Sequence, residues 1–170
     1  MLKGIDRINK FLNDWLRDNE FECTVQLDTD FHYDIVNDVI HYSLIVPMSH
    51  NDLFLKVCQE CRPEIGDCDN FILSFFHELG HFNTYYMFED DEINSYEFLC
   101  DSFDVTDEND FTDEDYDTYY HCDVELEATQ WGCDYIVEHE AEVREWWKTL
   151  KQLILDFYEI NNIEKEADNE

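Results

Sequence analysis

Lysine and arginine are absent from the 81 residues between Pro63 and Val143, which contain 25 Asp and Glu. The whole chain has 43 acidic against 10 basic residues and a formal net charge of −33. Direct binding to nucleic acid needs clustered Lys and Arg, so we do not expect it here. The excess acid instead predicts a strongly negative field over this half of the protein. Such a field fits a basic protein partner, a cation, or mimicry of nucleic acid.

Long apolar runs, glycine and proline are also scarce. With 4 Gly and 2 Pro in 170 residues, no linker rich in these residues divides the chain. No segment approaches the roughly 20 consecutive apolar residues of a transmembrane helix. Residues 1–16 lack the continuous apolar stretch of a signal peptide. Together with an odd number of cysteines, seven, these absences indicate reduced thiols, and we expect a cytoplasmic protein that does not enter a membrane.

The apolar content is nevertheless sufficient for a folded core. Apolar residues make up 44% of the chain and aromatic residues 16%. Disordered acidic tails lack aromatics, so the chain is not expected to be one. The length fits one domain of ordinary size. We expect a single domain over residues 1–160, with an acidic insertion at 89–123 and a polar tail at 161–170.

The first third of the chain predicts a helix, a small sheet and a second helix. Apolar residues at helical spacing indicate an amphipathic first helix. Asn37 and Asp38 favour a hairpin turn between two strands, because both residue types tolerate a positive φ. Pro47 is expected to end the last strand. The predicted elements are a helix over 4–19, strands over 21–27, 31–36 and 39–46, and a helix over 51–61.

The next predicted helix begins near Asp69 or Asn70, either of which can cap it. One face of this helix is apolar and should face the core, whereas the other is polar and should line a cleft. Residues 89–123 contain fifteen acids and no Lys or Arg, but aromatic residues are interleaved among them. We expect this segment to pack in part, with short turns of helix. From Val124 the pattern is helical again. The fold class is therefore α+β, with helices packed on a small antiparallel sheet or hairpin.

The segment His77-Glu-Leu-Gly-His81 carries the strongest chemical signal. On a helix, residues four apart lie on one face, so His77 and His81 can both offer a ring nitrogen to one zinc ion. Glu78 points toward the same cleft and is predicted to be the catalytic base, which takes a proton from water and passes it to the leaving amine. Zinc would supply the activated water and polarise the scissile carbonyl. Gly80 is a poor helix former, and it indicates that another segment approaches closely there.

A catalytic zinc site also needs a third protein ligand and an open position. Three residues are candidates: Glu97, Glu125 and Glu127. Glu97 opens a Glu-x-x-x-Asp pattern sixteen residues after His81, a spacing typical of thermolysin-like enzymes. Glu125 and Glu127 belong to one segment but would point about 200° apart on a helix. Spacing alone leaves this choice open.

The two motifs together resemble a known family. His-Glu-Leu-Gly-His followed by Glu125-x-Glu-Ala-x-x-aromatic-small is similar to the ImmA/IrrE-type zinc metallopeptidases, and also to the HtpX-like peptidases. The resemblance implies a zincin-like fold, one Zn²⁺ per chain and Glu125 as the third ligand. It places Thr129 where the family has Asn or Asp, a residue that steadies a ligand histidine. Family members cleave helix-turn-helix repressors or act in stress and mobile-element regulation.

Other side chains are weaker candidates for a role in this site. A residue that stabilises the negatively charged oxygen during peptide hydrolysis is expected. His121, Tyr119, Tyr120 and His139 are all candidates, although each is more often an ordinary packed or surface residue.

The cysteines and tryptophans have simpler explanations. Cys58-x-x-Cys61 with Cys68 has the residue types of a second, structural metal site, but no fourth ligand lies at the usual spacing. Buried thiols are the favoured interpretation. Trp146 and Trp147 are expected to form part of the core and a partly exposed face.

Two functions of different class fit these patterns. The first is a zinc endopeptidase that cleaves a protein with a basic surface, since the negative field would attract such a substrate. Its natural setting would be the regulation or defence systems of phages or mobile elements. The alternative is an acidic protein that mimics nucleic acid and inhibits a nucleic-acid-binding protein. It would use a metallopeptidase-like fold for binding and not for catalysis.

Overall fold

The fold is taken from a computed structural model, which describes residues 4–44, 51–104 and 112–161. Helices surround a small sheet, so the α+β class is confirmed. The elements in chain order are α1 (Ile5–Asp18), β1 (Thr24–Leu27), β2 (His32–Asp34), β3 (Val39–Tyr42), α2 (Asn51–Cys61), α3 (Asn70–Thr84), α4 (Asp90–Asp104), α5 (Asp113–Tyr120), α6 (Asp123–Glu138) and α7 (Glu140–Asn161). Short 3₁₀ turns cover Pro63–Ile65 and Tyr85–Met87.

The three strands form a sheet in the order β1-β3-β2. The hairpin between β2 and β3 is confirmed, with Asp38 at φ +52°, but its loop spans residues 35–38 and not two residues. β1 pairs with β3 in parallel, so the sheet is mixed: the predicted antiparallel sheet is wrong, whereas the alternative prediction, an antiparallel hairpin, is present as β2 and β3. The physical reason is that a tight turn specifies a hairpin locally, whereas the pairing of β1 with β3 has no local turn signal. Pro47 lies outside the described residues.

Helix α1 covers one side of the core. Its buried residues Ile8, Leu12 and Leu16 recur at intervals of four, the spacing that puts them on one face. This face packs against β1 and α7. The bounds differ from the predicted helix by one residue at each end, and those of α2 agree with the prediction.

An aromatic cluster fills the centre of the molecule. Trp15 from α1 lies 5.6 Å from Phe76, between ring centroids, and Phe75 lies 5.1 Å from Trp146. Trp146 is buried, whereas Trp147 is only partly buried, as expected from the sequence. Aromatic pairs at these distances stabilise a core by about 0.5–1.5 kcal/mol each beyond their burial.

Helix α3 runs through this core and carries the His77–His81 segment. The Asp69 side chain accepts a hydrogen bond from the backbone N–H of Phe71 at 3.1 Å, which confirms the predicted cap. The apolar face is buried as predicted. The polar face, however, is also largely buried, because α6 and the tyrosines of α4 and α5 cover it.

The acidic insertion is more regular than predicted. It contains α4, which is 15 residues long, and α5, which begins with a capping box between Thr112 and Asp115. Residues 105–111 and the tail 162–170 lie outside the described ranges. None of the helices in the described ranges combines the length and apolarity needed to cross a membrane.

Candidate metal centre

Helices α3 and α6 approach each other unusually closely at the centre. A Cβ added to Gly80 would lie 2.2 Å from the backbone oxygen of Ala128, and one added to Gly132 would lie 2.7 Å from that of Phe76. The pairs 80–128 and 76–132 run in opposite directions, so the two helices are antiparallel. Real Cβ atoms do not come this close to backbone oxygens, which explains both glycines. The predicted close approach at Gly80 is therefore confirmed.

This contact brings together the side chains that the two motifs predicted. Nε2 of His77 lies 3.0 Å from Oε2 of Glu125, and Nε2 of His81 lies 3.4 Å from Oε1. The two Nε2 atoms are 3.1 Å apart. His77, His81 and Glu125 have exposed fractions of 6%, 5% and 1%, so water hardly reaches them. They form one of two groups of metal-binding residue types within the described part of the chain.

Thr129 fixes which nitrogen of His77 faces this group. The Thr129 hydroxyl donates to the backbone oxygen of Glu125 at 2.8 Å. Its oxygen must therefore accept the bond that joins it to Nδ1 of His77, at 3.0 Å. Nδ1 then carries the proton and Nε2 is left with a lone pair. Thr129 thus fixes the orientation of the His77 ring.

The resulting donor set fits a zinc ion. Nε2 of His77, bearing no proton, faces Oε2 of Glu125, and that oxygen is buried without a hydrogen-bond donor. Two buried lone pairs at this distance repel unless a cation or proton lies between them. Around a tetrahedral zinc with bonds of about 2.1 Å, ligand atoms lie about 3.4 Å apart. The separations of 3.0–3.4 Å in this group are close to that value.

The pKa values of Glu125, His81 and Glu78 influence one another, because these buried groups lie close together. Burial alone would raise the pKa of Glu125, but the charge of the facing His81 holds it well below its usual range. Burial opposes the protonation of His81, yet Glu125 raises its pKa. Burial raises the pKa of Glu78, although the two histidines oppose this.

Two tyrosines from the acidic insertion bind the Glu125 carboxylate. The hydroxyl of Tyr96 on α4 donates to Oε1 at 2.5 Å, and that of Tyr119 on α5 donates to the same atom at 2.7 Å. Burial and the Glu125 charge raise the pKa of both phenols far above the usual range, so both remain donors. They hold Oε1 in place while Oε2 faces His77. The insertion therefore completes the site from the side opposite α3.

A cleft of about 270 Å³ gives access to the site. Glu78, with an exposed fraction of 7%, lies in its wall beside the two histidines. Strand β2 and its flanking residues border the other side. The lining has no Lys or Arg. Its aromatic members are Phe31, Tyr33, Tyr85, Tyr96 and Tyr119.

The structure also locates the other residues considered as ligands. Glu97 is exposed on α4 at the edge of the cleft, because its neighbour Tyr96 takes the inward position on that helix. Glu127 is exposed on the outer side of α6. Of the three candidates for the third ligand, Glu125 is the one that lies with the histidines.

Only one of the four proposed oxyanion helpers lies at the centre, and this is Tyr119. Tyr120 packs against Phe54, with ring centroids 5.2 Å apart. His121 is exposed and His139 is half-buried, and both lie beside carboxylates near the surface. Tyr96 was missed by sequence reasoning, and no signal marks it among the ten tyrosines of the chain.

Within the described ranges, the cysteines do not gather with other metal-binding residue types. No group of three metal-binding residues in the described ranges includes a cysteine, although Cys58, Cys61 and Cys68 all lie there. Cys58 is buried, and the Sγ of Cys133 lies 3.7 Å from its backbone oxygen. No disulfide joins any of the seven cysteines, all of which are within the described part of the chain.

Comparisons with known proteins found no match to a family model, a curated protein or a solved structure. The resemblance to the ImmA/IrrE-type peptidases therefore rests on the two motifs.

Replacing Thr129 with Val should weaken zinc binding about 10–100-fold, because the orienting bond to His77 is lost while the side-chain volume is kept. Competition with a coloured chelator measures this affinity. Thr118→Val is the matched control, since its exposed hydroxyl donates to the Glu114 backbone oxygen at 2.8 Å and touches no ligand. Equal zinc affinity of the Thr129 variant and the wild type would contradict the orienting role.

Proposed function

We propose that this chain is a zinc-dependent metallopeptidase that cleaves a protein substrate with basic residues. The observation that carries the proposal is the convergence of three buried acceptor atoms, from His77, His81 and Glu125, next to a buried carboxylate, that of Glu78. A structural zinc site is closed by four protein ligands, whereas a catalytic one has three and an open position. Here two of the three candidate ligands, His77 and His81, line an accessible cleft together with Glu78.

The residues have distinct roles in this proposal. His77, His81 and Glu125 would hold the ion, which supplies a Lewis acid that activates water and polarises the scissile carbonyl. Glu78 accepts the proton of the attacking water and donates it to the departing amine. Its burial favours this exchange, because a raised pKa makes the carboxylate a stronger base. Tyr96 and Tyr119 hold Glu125 in place.

The substrate class follows from the walls of the cleft. β2 is an edge strand in the described sheet, and the residues flanking it border the cleft. An extended segment can pair with such an edge, and this mode of recognition favours unfolded or loop substrates. The aromatic lining suits apolar side chains, while exposed Glu97 and the base-free half of the chain attract Lys and Arg.

Metal removal tests the proposal. The zinc-loaded chain is incubated with a fluorescence-quenched peptide library containing Lys and Arg, and the products are identified by mass spectrometry. Cleavage should stop when the metal is chelated and return with Zn²⁺ but not with Mg²⁺, which prefers oxygen ligands. A matched library with Gln in place of Lys and Arg should be cleaved more slowly, and this difference should shrink at high salt. Cleavage that persists without metal would contradict the proposal.

The alternative is an acidic mimic of nucleic acid. A mimic should keep its activity when Glu78 is replaced and lose it when the acids of residues 107–117 are neutralised. The buried group around Glu125 gives no advantage to such a mimic, since it contributes nothing to the surface charge. Inhibition of a nucleic-acid-binding protein that survives metal removal but is lost on neutralising these acids would favour the mimic.

A further inference from the structure

A second group of metal-binding residue types lies at one end of the sheet. Asp28 follows β1, His32 begins β2, and His41 lies on β3. His32 and His41 are directly opposite each other in the antiparallel pair, so their side chains project from the same face. The backbone N–H of Asp28 donates to the Tyr42 oxygen at 2.8 Å, which brings Asp28 beside them. None of these residues is a candidate ligand of the His77 centre, although His32 lines the cleft beside it.

The three side chains are close enough to share one ion. Their candidate ligand atoms all lie within 4.8 Å of one another. The two imidazole rings stack with centroids 4.2 Å apart and planes inclined by 6°. Nδ1 of His41 lies 3.1 Å from Oδ2 of Asp28. The exposed side chains of His32 and Asp28 have room to turn, so the remaining gap can close around an ion.

The hydrogen bonding of this group is incomplete. Nδ1 of His41 is buried and has no hydrogen-bond partner, so its contact with Asp28 lacks the geometry of a hydrogen bond. The other oxygen of Asp28, Oδ1, accepts from the backbone N–H of Thr29 at 2.7 Å, which leaves Oδ2 directed toward His41. A buried nitrogen without a partner costs free energy, and a bound cation would relieve this cost.

We propose that Asp28, His32 and His41 form a second metal site, which takes a divalent ion of the zinc class. Two imidazoles and one carboxylate suit Zn²⁺, Ni²⁺ or Co²⁺ better than Mg²⁺ or Ca²⁺, which prefer oxygen. Water completes the coordination, because the site is partly open to solvent. The proposal uses no residue of the His77 centre and does not depend on the peptidase function.

The site would act as a clip across the sheet. Its ligands come from the end of β1, from β2 and from β3, so one ion joins all three strands. β2 is only three residues long and has a single neighbour in the described sheet. Because residues around β2 border the cleft, metal at the clip would stiffen that wall of the cleft. Binding to the folded state alone also raises its stability.

Zinc titration of the full chain tests this proposal, in physiological salt with excess Mg²⁺ to occupy exposed carboxylates. The wild type should bind two zinc ions per chain, and His41→Gln or Asp28→Asn should each remove one. Asp30→Asn is the matched control, since this exposed acid lies next to the group and outside it. In a ¹H–¹⁵N spectrum of the imidazoles, signals of His32 and His41 should shift with the second equivalent in the wild type.

The results that support the second metal site differ from those that would overturn it. Loss of one equivalent in both variants but not in Asp30→Asn supports the clip, and so does the shift of both histidine signals. Binding of the second equivalent in both variants with wild-type affinity would overturn it, as would zinc binding by the wild type that leaves the imidazole signals of His32 and His41 unshifted. Neither result depends on peptide cleavage, so failure here leaves the proposed activity unaffected.

Discussion

Replacing Glu78 with Gln is expected to slow peptide cleavage by about 10²–10⁴-fold while zinc stays bound at the His77 centre. Glutamine keeps the shape of the side chain but cannot accept a proton from water. Glu78 lies in the cleft wall and does not belong to the group of three ligand side chains, so the metal affinity should change little. Steady-state cleavage and zinc content of the same preparation measure the two effects.

Glu127→Gln is the matched control for this experiment. It makes the same chemical change on an exposed face of α6, and it should leave both cleavage and zinc content unchanged. If the Glu78 variant still cleaved peptide at the wild-type rate, Glu78 would not be the catalytic base. Loss of zinc together with cleavage would instead make Glu78 part of the metal-binding structure.

Much of the α3 side of the site could be predicted from the sequence, because its signals are local. The cap at Asp69 precedes an apolar periodicity, and His77 and His81 lie four residues apart within it. Helical geometry alone places such residues on one face. The third candidate ligand could not be chosen in this way. Spacing left Glu97, Glu125 and Glu127 as alternatives, and only the resemblance favoured Glu125. The contact between α3 and α6 brings Glu125 to the two histidines, and that contact is between residues distant in sequence.

The contributions of the acidic insertion were harder to predict. Its many acids have no partners of opposite charge nearby in sequence, so composition favoured a partly packed loop with short helical turns. In the structure, Tyr96 and Tyr119 turn inward from α4 and α5 and bind one oxygen of Glu125. Such a pairing depends on the tertiary arrangement of three helices. The parallel pairing of β1 with β3 was missed for the same reason, because only the adjacent hairpin has a local turn signal.

Replacing Gly80 with Ala is expected to destabilise the protein by about 3 kcal/mol and to abolish zinc binding at the His77 centre. Helix propensity alone would favour Ala over Gly by about 1 kcal/mol, so the sign of the effect depends on packing. The added Cβ would lie 2.2 Å from the backbone oxygen of Ala128. Backbone cannot turn aside as a flexible side chain can, so α3 and α6 must separate. Urea unfolding and zinc titration measure the two losses.

Separation of the helices acts on the metal centre directly, since α3 carries both histidines and α6 carries Glu125. Excess zinc should therefore fail to restore wild-type stability to the Gly80 variant. Gly66→Ala is the control: its φ of +56° strains an alanine by about 1–2 kcal/mol, but no atom lies within 4 Å of the new Cβ. This control should lose stability and keep its zinc. A Gly80 variant that gains stability, as propensity alone dictates, would show that the close approach of α3 and α6 does not exist in solution.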